Sequence, residues 1–204
     1  VTDGNSGNNY TVTFVTDTTG VVTARAITVT AATNTKTYDG DATAAALPAI
    51  TSGSLAPGDS ATWSATYNNK NAGTGKTLTP AGTVTDGNSG NNYTVTFVND
   101  TTGVVTARAI TVTAATNTKT YDGDATAAAL PTITSGSLAP GDSVTWSATY
   151  SNKNAGTGKT LTPAGTVTDG NSGNNYAVTF VNDTTGIVTA RAITVTAATN
   201  TKTY

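Results

Sequence analysis

Apolar and polar residues alternate along this chain with a period of two, the spacing of a strand that turns one face to a core and the other to water. In "RAITVTA", Ile27, Val29 and Ala31 share one face while Thr28 and Thr30 take the other. In "SATWSATY", Ala61, Trp63, Ala65 and Tyr67 oppose Thr62, Ser64 and Thr66; in "NYTVTFV", Tyr10, Val12 and Phe14 alternate with Thr11 and Thr13. Threonine suits the wet face, since its β-branch fits the pleat and its hydroxyl bonds water. Between the strands stand "YDGD" at Tyr38, "APGD" at Ala56, "NNKNAGTGK" at Asn68 and "DGNSGNN" at Asp86. These supply glycine or asparagine for positive φ, proline for a fixed φ and Asx side chains that close turns. The last of them, between "TVT" at Thr83 and "YTVTFV" at Tyr93, reads as the tip of a hairpin. Only "DATAAALP" leaves a short helical turn open, with Asp41 as cap and Pro48 as stop.

The whole pattern is written on one period. Tyr38, Tyr121 and Tyr204 lie 83 residues apart, and Trp63 and Trp146, Arg25, Arg108 and Arg191, and Pro80 and Pro163 keep the same offset. Residues 1–83 differ from 84–166 only at Thr16/Asn99, Ala49/Thr132, Ala61/Val144 and Asn68/Ser151; the third, partial copy adds Thr94/Ala177 and Val104/Ile187. A unit of this length can bury its own core, unlike a short solenoid repeat. The chain therefore divides into 1–23, the end of a preceding repeat; 24–106 and 107–189, two full modules; and 190–204, the start of a following one. The expected fold is all-β: tandem β-sandwich or β-grasp-like modules of six or seven short strands. No glycine-rich linker interrupts "VTARAITVTA" between modules, so the array is expected to form an elongated, semi-rigid rod.

Composition narrows the function classes. Charged residues make up 11% of the chain and the net charge is -2, with no basic stripe, which argues against nucleic-acid binding. No apolar run approaches a membrane span of about 20 residues. Cysteine, methionine, histidine, glutamate and glutamine are all absent. There is thus no disulfide framework, thiolate chemistry or thiol-held metal, and nothing for the usual oxidation ladder, which suits a long-lived extracellular protein. Beginning within a repeat, the sequence reads as a window on a longer array.

Candidate chemistry is sparse. "AGTGKT" at Ala72 resembles a phosphate loop, but Lys70 stands where its first glycine is required. Asp86, Asn88, Asn91, Asn92 and Asp100 are hard oxygen donors of the kind calcium takes, yet the loop has one carboxylate and no closing glutamate, and Asx turns are the better reading. Trp63 and Tyr67 are assigned to the core, because their neighbour Ala61 becomes the larger Val144 in the next copy; the alternative is a sugar-stacking platform. Lys36, Lys70 and Lys76 are candidates for a lysine isopeptide bond, with aspartate replacing the usual glutamate as proton shuttle. The acceptor patterns "NYT" and "NDT" are uninformative in a chain so rich in asparagine and threonine. General acid-base work would need a strongly shifted Asp or Lys, and no spacing pairs two carboxylates beyond Asp39 and Asp41. No enzyme activity is expected, and no catalytic, cofactor-binding or metal residue is assigned.

"KTYDGDATA", "NKNAGTGKTLTPAG" and "GNNYTVTFVNDTTGVVTARAITVTA", in this order across the full repeat, resemble the YDG-type repeat. That family is related to the MBG repeats and occurs in tandem in large bacterial surface adhesins, many of the filamentous-haemagglutinin kind. The resemblance implies a β-rich stalk or matrix module without catalytic residues, exposed outside the cell or on the bacterial surface. The expectation is a structural repeat of an exported adhesin or extracellular fibre, serving adhesion or biofilm formation. Its partners would be neighbouring repeats and other copies of itself. The alternative is a multivalent module that binds glycans or surfaces weakly; rows of Thr-Val-Thr on an ice or mineral surface are disfavoured by their irregular spacing.

Overall fold

The computed structural model describes residues 1–204 and contains strands and loops but no helix. The first module is built from β1 (Arg25–Thr30), β2 (Thr35–Thr37), β3 (Thr43–Ala44), β4 (Ala49–Ser52), β5 (Ser60–Tyr67), β6 (Gly73–Thr85), β7 (Tyr93–Val98) and β8 (Asp100–Thr106). They form a three-stranded sheet, β4-β1-β7, and a five-stranded sheet, β2-β8-β6-β5-β3. The second module repeats the plan with β9 (Arg108–Thr113), β10 (Thr118–Thr120), β11 (Thr132–Ser135), β12 (Ser143–Tyr150), β13 (Gly156–Thr168), β14 (Tyr176–Val181) and β15 (Asp183–Thr189). A single bridge between Thr126 and Thr149 stands in for the β3–β5 pair.

The 13-residue strand β6 runs the length of the module. Its first half pairs with β8 and buries Leu78; its second half carries Val84 into a cluster with Ile27, Val29 and Tyr93 of the smaller sheet. Pro80 is tolerated because the β8 pairing has ended at Leu78, leaving no ladder bond on that side for a missing N–H to break. Gly82 lies opposite Trp63 with φ 149°, and a Cβ there would stand 2.5 Å from the indole ring. Only glycine lets Trp63 lie flat across β6 and meet Phe97 edge-on, with ring centroids 5.9 Å apart.

The alternation sorts faces as expected in β1, where Ile27, Val29 and the following Ala31 are buried, and in β5, where Tyr67 is buried and Trp63 half-buried. Three expectations are corrected. "DGNSGNN" is no hairpin tip: β6 and β7 lie in different sheets, and β7 pairs in parallel with β1 from the opposite end of the module. Asp86 coils the loop on itself by accepting N–H bonds from Asn88, Gly90 and Asn92 at 2.8–3.0 Å, which sends the chain across to the other sheet. Asp41–Pro48 holds the short strand β3 rather than a helical turn, because Asp41 and its neighbours are tied to Lys36. The segment Tyr10–Val15, a copy of β7, forms no strand and leaves Phe14 and Val15 exposed, since a β7 strand is held by a β1 partner. Residues 190–204 are likewise without strands.

Candidate functional site: the junction between modules

The "YDG" turn is built around a lysine. Lys36 Nζ donates to the carboxylates of Asp39 (2.8 Å) and Asp41 (3.0 Å) and to the carbonyls of Asp41 (3.1 Å) and Thr43 (3.0 Å), and it lies over the Tyr67 ring. Burial opposes its charge, but the two aspartates outweigh burial and raise the Lys36 pKa. Lys119 holds the second turn in the same way, through Asp122, Asp124 and Thr126. Gly40, at φ 95°, lets the chain reverse within this clamp. Meanwhile the Tyr38 N–H is tied to the Thr106 carbonyl at the end of β8. With its backbone fixed on both sides, Tyr38 projects out of its own module.

The ring enters the second module. Tyr38 meets Tyr176 edge to face and donates from its hydroxyl to Asp142 Oδ2 at 3.1 Å. Tyr176 donates to the same oxygen at 2.6 Å and accepts the Ala139 N–H at 2.7 Å. Two phenols therefore converge on one carboxylate. Burial, and then Asp142, push the Tyr176 hydroxyl up to about 12 and raise that of Tyr38. Lys70 covers the outer face of Tyr38, and Arg108 reaches back to the Tyr38 carbonyl while its other nitrogen bonds Ser137.

A second contact lies beside the first. Asn175, fully buried, accepts the Ala72 N–H at 2.8 Å and donates to Asn71 Oδ1 at 3.3 Å. Asn175 is positioned from behind by Asp169, which gathers the N–H groups of Asn171, Gly173 and Asn175. Burial opposes the Asp169 charge, yet those three donors hold its pKa below the ordinary carboxylate value. Around these polar contacts the largest apolar cluster of the molecule runs from Tyr67, Leu78 and Val105 of the first module to Ile110, Val112 and Val167 of the second. One residue, Ala107, separates β8 from β9. The modules are docked, not merely linked.

The donors considered for calcium are not brought together. Asp86 is occupied by its own loop, and Asp100 sits at the start of β8, bonded to Thr102 and Thr33. "AGTGKT" lies within β6 rather than ahead of a helix, and Lys76 Nζ donates to Asn69 Oδ1. Of the isopeptide candidates, Lys36 is surrounded by carboxylates and carbonyls, and Lys70 lies against Tyr38. Tyr67 is core, its hydroxyl bonded to Asn34. Sequence reasoning has Tyr38 packing over its own turn as readily as binding anything; it misses the docking of Tyr38, Asn71 and Asn175. No helix is long and apolar enough to cross a membrane.

A family model described as YDG domain matches residues 23–103 and again 106–186. No curated protein and no solved structure matches the chain.

Proposed function

The chain belongs to the YDG domain family, and from that premise we propose that it is a structural repeat of an exported bacterial adhesin or extracellular fibre, acting without catalysis as a semi-rigid stalk. The observation that carries this reading is the junction: Tyr38 of one module seated on Asp142 and Tyr176 of the next, with a single residue between the strands on either side. A docked joint resists bending where a flexible linker would coil. Because every repeat carries the same tyrosine, aspartate and asparagine, an array would repeat one step and project whatever it bears to a set distance. Absence of cysteine and methionine fits an oxidising exterior.

The test is electron microscopy and small-angle scattering on recombinant arrays of increasing repeat number. A stalk predicts single beaded threads whose maximum dimension grows linearly with repeats. Compact particles whose dimension grows much more slowly would end the stalk reading. Surface protease treatment of intact producing cells tests the location: a stalk is cleaved from outside.

A further inference from the structure

Residues 25–38 of the first module lie alongside residues 93–106 in one parallel zipper that crosses from the smaller sheet to the larger. Arg25–Thr30 pairs in register with Tyr93–Val98, and Thr35–Thr37 with Val104–Thr106. The stretch between is held as well: Ala31 donates its N–H to the Val98 carbonyl at 2.9 Å, the Thr33 hydroxyl bonds Asp100 at 3.1 Å, and the Asn34 carbonyl accepts the Val104 N–H at 3.0 Å. Backbone bonds close both ends, from the Arg25 N–H to the Asn92 carbonyl at 2.7 Å and from the Tyr38 N–H to the Thr106 carbonyl at 2.9 Å. The second module repeats the zipper with 108–121 against 176–189. These are the first and last segments of a module, and they run the same way. Tension on the two ends of the chain enters the module at Arg25 and leaves it at Thr106, so it draws the two segments past one another along their length. The evenly spaced bonds of a parallel ladder then share the load at once, whereas a pull applied at one end of the zipper would break them in turn.

We infer that each module is a tension-bearing element whose resistance lies in this zipper, and that load passes from one module to the next without entering the segments between. Thr106 transmits it through Ala107 to Arg108, where the second zipper starts. β1 and β8 are inner strands, held on their other sides by β4 and β6, so neither slides as a free edge. Residues 40–91, with Trp63 and the Asn71–Ala72 half of the joint, lie outside the path until the zipper parts. The inference rests on strand pairing within a module and stands apart from the stalk reading.

Optical tweezers test this by pulling one protein in two directions. The chain has no cysteine, so handles attach only where a pair is introduced. Ala24→Cys with Asn91→Cys places two exposed attachment points side by side at one end of the first zipper, where a pull peels it open. Tags at the two ends of the same variant load both zippers in shear, so any change in its stability affects the two directions alike. At equal loading rate, rupture from the ends is expected to need several-fold more force than peeling, because forced unfolding follows the barrier met along the pull, and to release a whole module in one step. Equal forces in the two directions overturn the inference. So does end-to-end unfolding that starts with a fragment smaller than a module. Either failure leaves the stalk reading standing, since that turns on how length grows with repeat number; compact arrays with a strong zipper would end the stalk reading alone.

Discussion

Tyr38 and Tyr176 stand edge to face across the joint, ring centroids 5.6 Å apart and planes at 75°. The equivalent of Tyr38 in the second module, Tyr121, has no such partner and serves as its control within the same molecule.

Tyr38→Ala should therefore cost about 3 kcal/mol, the range for emptying a buried aromatic site, and Tyr121→Ala distinctly less. Urea denaturation followed by fluorescence measures both. Equal losses would mean that Tyr38 serves its own module only and the joint adds no stability.

The joint should also fail at high pH. Burial pushes the Tyr176 hydroxyl up to about 12 in the folded protein, against about 10 for a free tyrosine. A value raised by folding gives stability that is complete below pH about 10 and drains away as pH climbs toward 12. Melting temperature should hold through neutrality and drop across that window, with a smaller drop in Tyr176→Phe. An identical profile in the variant would remove Tyr176 from the explanation.

Lys36→Met would leave the Asp41 and Thr43 carbonyls without their donor and set two carboxylates side by side. A loss of about 1 kcal/mol is expected, because both carboxylates are exposed and water replaces part of what the lysine supplied, with faster hydrogen exchange at Asp41 and Thr43. Unchanged exchange there would show that the turn holds its shape without the clamp.

Gly82→Ala tests the packing of Trp63. A methyl group at this site would lie 2.1 Å from the Thr62 carbonyl oxygen, and overpacking of this severity costs about 3 kcal/mol. Gly58, also at positive φ but with open space around it, gives the backbone cost alone, roughly 1–2 kcal/mol. Similar losses at the two glycines would mean that Trp63 moves aside freely.

How much of this is readable in the letters depends on the kind of information each residue carries. Alternation names the face a side chain takes, so Ile27, Val29 and Tyr67 are assignable to a core before any partner is known. It says nothing of which strand lies alongside, and so sequence order sets β7 beside β6, its neighbour in the chain, instead of β1. The deciding interaction, Asp86 folding its own loop, uses the same Asx chemistry that closes a hairpin. At Asp41–Pro48 the run of alanines favours a helix, but a lysine five residues before Asp41 holds the backbone extended. Tyr38 is legible as a turn residue but not as a contact, because its partners Asp142 and Tyr176 lie in the following repeat, more than a hundred residues away in sequence for Asp142.

The six positions that differ between copies leave the polar and aromatic contacts of the joint alone: Tyr38, Lys70, Asn71, Ala72, Asp142, Asn175 and Tyr176 keep their identity wherever their counterparts occur in the chain. A gene that gains or loses whole units by recombination between its own copies therefore rebuilds the same interface at the new seam. In the stalk proposed above, reach would then be a quantity that heredity adjusts in fixed steps, with no new contact to evolve each time.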